Sequence, residues 1–273
     1  MLDIFYVTSA DGRVRSFPIR NSSSGYAVES IKGLDPTKAS LVSSSFALLP
    51  GAKFQSTKRE VRNIVITIKF MVDHATQSVE SLRNMLYQYF MPESQISLRF
   101  ENTAGLSVRI SGVVESFEAP LFEKEPAADI SIICHDPDFV ETDEIQISGN
   151  TTSTTTEMMF DYDGTIPTGF RFVLNVNRSI TTFTIYHRTP DNLINMLNVN
   201  KSLVAGNVVT INTVLGDKYA RLVSGGIQSS IVGNVSPQSA WSQFKFGENG
   251  FRVTVAGAAI PYDIFYMNKY GGL

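Results

Sequence analysis

At 273 residues the chain lies near the size at which single hydrophobic cores stop growing, so two domains are expected. It is 43% hydrophobic and 18% charged, with 18 Phe and 10 Tyr, which is enough to pack cores and too little charge for a disordered chain. A net charge of -3 and a pI near 5.7 leave no surplus of Lys and Arg to neutralise phosphates or an anionic leaflet, and a lone Cys134 excludes an internal disulfide. The amino terminus carries no basic stretch followed by an apolar run, and about 18 consecutive apolar residues occur nowhere, so a soluble cytosolic product with no membrane role is expected. Sequons such as those at Asn150, Asn177 and Asn234 matter only in a secretory setting and read as chance.

Along the chain, strict alternation of apolar and polar residues marks strands with one buried face. From Gly33 to Arg62 no clear period appears. The chain reads Gly-Leu-Asp-Pro, a serine-rich run from Ser40 to Ser45, then a mixed stretch to Arg59, and a loop this long is usually functional or ordered by a partner. Ile64, Ile66, Ile68 and Phe70 then form the first clear row. Positions 76 to 91 break the rhythm: Val79, Leu82, Met85, Leu86, Tyr89 and Phe90 recur at helical spacing, with Thr76 or Ser78 as cap and Pro92 as stop. Ile96, Leu98 and Phe100 pair with Leu106, Val108 and Ile110 across a turn at Asn102 to Gly105. Ile130 and Ile132 end at Cys134-His135-Asp136-Pro137-Asp138, where proline removes a ladder donor and suggests the end of a first domain.

After a threonine-rich tract at 151 to 156, alternation returns without a helix. Phe170 to Val176, Phe183 with Ile185, Val209 with Ile211, a turn at Gly216-Asp217 and a strand through Tyr219 to Val223 follow one another. Phe251 to Val255, a Gly257-Ala258 turn and Ile260 to Tyr266 close the series. Many short antiparallel strands at even spacing indicate a β-sandwich.

Candidate chemistry is sparse. Cys134, His135, Asp136 and Asp138 crowd metal-capable groups together, yet neighbours on a strand point to opposite faces, so a buried thiol and an Asp-Pro turn are expected. Asp161-Tyr162-Asp163-Gly164 begins like a calcium loop but has Phe172 at the twelfth position, where a carboxylate is needed. His74 and His187 fall in different halves. Glu115, Glu118, Glu123, Glu125 and Asp129 could supply a glycosidase pair, but their simpler reading is a solvated acidic loop. No catalytic residue, cofactor or metal site is assigned, and no enzyme is expected.

The order of short motifs is more specific than any one of them. The Gly-Leu-Asp-Pro start at Gly33, the Arg62-Asn63-Ile64-Val65-Ile66 strand and the Ile132 to Phe139 segment resemble the ring-forming belt domain of siphophage distal tail proteins. Gly164-Thr165-Ile166-Pro167, Ile211-Asn212-Thr213, Trp241 ahead of Gly247-Glu248-Asn249, and the terminal Tyr266 to Leu273 resemble that family's galectin-like second domain; Phe246 stands where relatives often have proline. The resemblance implies a mainly β chain of two β-sandwich-like domains, the first with one helix and a long extended loop, the second galectin-like. A belt domain at 1–138, a linker or edge segment at 139–156 and a galectin-like sandwich at 157–273 are expected.

It further implies a hexameric ring in the virion tail tip, made in the bacterial host cytoplasm and joining tail tube to tip. Expected partners are copies of itself, the tail tube protein, the tail-tip hub protein, the tape measure protein and a receptor-binding or tail-fibre protein, with DNA passing unbound through the lumen. Within the long loop, Gly33, Leu34, Pro36, Phe46, Leu48, Lys53, Phe54 and Arg59 are the expected subunit-interface residues. The competing reading is a carbohydrate-binding sandwich aiding host adsorption, which requires exposed aromatic faces such as Trp241 could offer.

Overall fold

The structure, a computed structural model, describes residues 2–19, 25–45, 50–73, 75–120 and 122–273. The chain is mainly β and divides into two compact units, Met1–Thr142 with Tyr270–Leu273, and Asp143–Lys269. The expected linker at 139–156 contains two strands, one in each unit, and the last four residues belong to the first unit.

Unit 1 contains β1 (Leu2–Ser9), β2 (Val14–Pro18), β3 (Tyr26–Lys32), β4 (Ala39–Ser45), β5 (Ala52–Arg59), β6 (Arg62–Phe70), α1 (Val79–Phe90), β7 (Gln95–Asn102), β8 (Ser107–Glu118), β9 (Ala127–Cys134) and β10 (Phe139–Glu141). One antiparallel sheet runs in the order β2-β1-β7-β8-β9-β6-β3, with β10 added on β8. The alternating rows dictate its register: Ile64 faces Ile132 and Ile66 faces Ile130, all fully buried, because a one-residue slip would turn every isoleucine to water. The core is closed by α1, whose Leu82, Leu86 and Phe90 are buried. Unit 1 is thus a large antiparallel sheet with one helix against it and a separate two-stranded sheet, β4–β5.

The helix is shorter than its periodicity suggests. Ser78 caps it, its hydroxyl accepting from the Ser81 amide while Ser81 Oγ accepts from the Ser78 amide. Thr76 is excluded because its amide and hydroxyl turn back to Asp73. His74 lies outside the described residues.

Unit 2 contains β11 (Ile145–Asn150), β12 (Met158–Tyr162), β13 (Arg171–Asn175), β14 (Ile180–Arg188), β15 (Ile194–Leu203), β16 (Val208–Asn212), β17 (Tyr219–Ser224), β18 (Ile227–Ser230), β19 (Gly247–Thr254) and β20 (Pro261–Tyr266). They form two antiparallel sheets, β11-β20-β13-β16-β17-β18 and β12-β19-β14-β15. Inward residues of both sheets share one core, in which Phe170 stacks on Phe244 at 4.6 Å and meets Phe251 edge-on at 5.5 Å. Asp161-Tyr162-Asp163-Gly164 sits at the end of β12. The buried Tyr162 hydroxyl donates to the Ile166 carbonyl and accepts from the Lys269 amide, so this segment anchors a turn.

Candidate subunit interface

The segment expected to be an extended loop is a β-hairpin. Strands β4 and β5 pair only with each other, with one bulge where Gln55 has no partner. Register places Leu41, Ser43, Phe54 and Thr57 on one face and Ser40, Val42, Ser44, Lys53, Ser56 and Lys58 on the other. Neither face is covered: every residue of β5 is exposed, with Phe54 at 59% and Leu41 at 69%. A lone two-stranded hairpin is marginal in water, so this arm is an element without its packing partner. The sequence signal was weak because alternation reports burial, and these strands bury nothing within the chain.

The arm's root is built very differently. Arg62 is 1% exposed, an unusual state for a charge, and each of its three guanidinium nitrogens donates a hydrogen bond. Its Nε donates to the Pro137 carbonyl at 2.7 Å, Nη1 to the carbonyls of Gly33 and of Asp35, and Nη2 to that of Gly271 at 2.6 Å. The guanidinium also lies 4.4 Å from the centre of the buried Phe139 ring. Burial pulls the Arg62 pKa below its ordinary value, while the nearby Cys134 and Asp138 act in the opposite direction. Beside it, Arg59 pairs with both oxygens of Asp138, which is 6% exposed.

Four short segments singled out in the sequence therefore meet at one side chain: Gly33 to Asp35, Arg62, Pro137 and the carboxyl-terminal glycines. Gly33 has φ +87, and a Cβ there would strike the Asn63 carbonyl oxygen, so only glycine lets the chain bend into the arm at this point. Leu34 packs against the core and its carbonyl accepts from the Leu273 amide at 3.0 Å. Pro36 lies against Gly272.

The expected interface residues thus divide. Gly33, Leu34, Pro36 and Arg59 sit at the root, making contacts within the unit, whereas Lys53 and Phe54 project from the arm. Phe46 and Leu48 lie outside the described residues. Sequence reasoning passed over Arg62 and Asp138 as site residues, since a buried arginine bonded to backbone carbonyls leaves no periodicity.

The remaining candidates resolve plainly. Cys134 is buried and its thiol is pushed up to about 11 by burial, while His135 is exposed. Asp136 accepts from the Asp138 amide in a turn, and no group of three metal-capable side chains gathers among the described residues. His187 is buried in the unit 2 core, its Nε2 bonded to Asn249 Oδ1 at 3.0 Å. The acidic residues are not all in a loop. Glu115 and Glu118 lie on the exposed face of β8, and Asp129 faces Glu118 from β9. Of the aromatics a sugar site would need, Tyr262 and Tyr266 are buried and Trp241 packs against the core.

Residues 163–270 match the family described as siphovirus-type tail component, C-terminal domain. Among solved structures, SPP1 Dit (gp 19.1), described as a paradigm of the hub adsorption apparatus in phages infecting Gram-positive bacteria, aligns with a TM-score of 0.69. The alignment spans 97% of this chain and 98% of that one at 14% sequence identity, a likeness of fold. Two structures of the phage P2 baseplate in its activated conformation, with Ca and with Sr, align at TM-scores of 0.47 and 0.44 with 8% identity. They cover 100% and 97% of this chain and 100% and 98% of theirs. No curated protein matches the sequence. The chain is therefore Dit-like in fold over nearly its whole length, resembles the siphophage distal tail proteins, and carries a siphovirus-type tail-component domain in its second half.

Proposed function

We propose that the chain is a structural subunit of a phage tail tip, and that copies close into a ring, of hexameric order by family resemblance, joining the tail tube to the tip. The observation that carries this reading is the uncovered β4–β5 arm. A firmly rooted hairpin with apolar Leu41 and Phe54 in water is a liability for a monomer, and it is relieved when the arm of each copy lies on the next around a closed ring.

Glu115, Glu118 and Asp129 share the solvent face of unit 1, and like charges directly opposite, as Glu118 and Asp129 are, cost stability. Lys69, Arg99 and Arg109 lie on the same face, so its charge is mixed, and such a face turned to the lumen would offer passing DNA no basic grip. In this reading unit 2 carries the receptor-binding or tail-fibre protein, with tube, hub and tape measure proteins as the other neighbours. The particle is the site of action, and the host cytoplasm the site of synthesis. The chain performs no catalysis in this role.

The test is the mass of the purified protein by light scattering and mass photometry, beside a variant in which residues 39–59 are replaced by a short Gly-Ser turn. Rings from the intact chain and folded monomers from the variant are expected. Rings of equal abundance from both would overturn the role given to the arm.

A further inference from the structure

The root of the arm contains a device that its ring-forming role does not by itself require. The arm is tied to the rest of unit 1 at few points. The Glu60 amide bonds the Lys38 carbonyl across the arm's own base, and the Arg59–Asp138 pair crosses to the β9–β10 corner. Beside the root lies an open cleft of about 340 Å³ lined among others by Pro36, Lys38, Glu60 and Val61. Against the root stands the end of the chain. Gly271 accepts from Arg62, the Leu273 amide donates to the Leu34 carbonyl, and Gly272 lies so close that a Cβ would come within 2.7 Å of Pro36 Cδ and 2.9 Å of its nitrogen.

We propose that the last four residues, Tyr270–Leu273, are a strut that fixes the direction of the arm. A fragment ending at Thr142 would then contain β1 to β10 and still fail to aim its arm. The inference rests on the ring reading for its consequence but not for its test. The tail is also the only stretch of unit 1 that follows unit 2 in the chain, so the strut is in place only after unit 2 has been synthesised. Ring closure therefore waits on the synthesis of unit 2. Arg62 acts here as a positioning residue: it gathers the Gly33, Asp35, Pro137 and Gly271 carbonyls so that strut and root share one point.

The experiment compares the intact protein with two full-chain variants, deletion of 270–273 and Gly272→Val, the second keeping every backbone group while pushing the tail from Pro36. Two quantities are read: the rate of tryptic cleavage at Lys53 and Lys58, followed by mass spectrometry at concentrations where the protein is monomeric, and the ring fraction at high concentration. Cleavage within a hairpin tracks its open population. Losing a hydrogen bond and the close tail packing should raise that rate about tenfold in both variants, with fewer rings and an unchanged Trp241 fluorescence transition. Cleavage at the intact rate in both variants would overturn the strut, whatever the rings do. An intact chain that stays monomeric at every concentration would instead overturn the ring reading, and the cleavage comparison would still decide the strut.

Discussion

Replacing Arg62 by methionine keeps the apolar stem and removes every donor. The change takes the Arg62 donors from the carbonyls of Gly33, Asp35, Pro137 and Gly271, and it takes the cation from the face of Phe139. A hydrogen bond from a charged donor contributes about 1.5–3 kcal/mol, but removals at one site do not add, and breaking a buried charged network costs about 3–5 kcal/mol. For a unit of this size each kcal/mol moves the midpoint by about 3 °C, so the melting of unit 1 should fall by about 10 °C. Scanning calorimetry records both units, and fluorescence of Trp241, the sole tryptophan, reports unit 2 alone. A drop confined to the transition that Trp241 does not see is expected. A fall of less than about 3 °C, or an equal fall in both transitions, would refute the reasoning that this guanidinium organises the root.

Four further outcomes follow from the same contacts. His187 is buried and neutral, with Nδ1 lacking any partner and its pKa pushed below the ordinary value by burial, with the Asn249 bond opposing. The unfolded chain therefore binds the extra proton first, so unit 2 loses stability as pH falls below about 6.5, by at most about 1.4 kcal/mol per pH unit. Melting curves between pH 7.5 and 5 check this, and His187→Gln should flatten the slope. Cys134 should react with a thiol reagent only on unfolding, since burial raises its pKa to about 11; fast labelling of the native protein at pH 8 would contradict its placement. Phe54→Ser together with Leu41→Ser should leave the monomer's melting within about 1 °C and reduce ring formation at least tenfold, because both side chains are exposed within one copy. Reversing Glu115, Glu118 and Asp129 to lysine should give rings that retain duplex DNA at low salt and release it at high salt, measured by filter binding; retention by the unaltered ring would contradict the lumen assignment.

Much of this fold was legible because most of its strands carry a buried face. The isoleucines of β6 and β9, the β7–β8 hairpin and the long aromatic rows of unit 2 lie where alternation puts them. What the pattern could not reveal shares one cause. The arm strands Ala39–Ser45 and Ala52–Arg59 bury nothing in a single copy, so no period could mark them. Arg62 and Asp138 owe their importance to backbone carbonyls and to one another's neighbours, far apart in the chain, and polar side chains bonded to main-chain atoms leave no spacing rule. The return of residues 270–273 to the first unit also escaped the pattern, because it is made by hydrogen bonds and glycine packing with little apolar signal.

The claim on which the account stands is that the β4–β5 arm is completed by another copy of the same chain. A photoreactive phenylalanine analogue at position 54, in an equal mixture of unlabelled and nitrogen-15-labelled protein, tests it directly. After irradiation, peptides joining a light arm to heavy unit 1, and the reverse, are predicted in equal yield. Crosslinks confined to peptides of one label, or none at concentrations where the mass shows assembly, would contradict it.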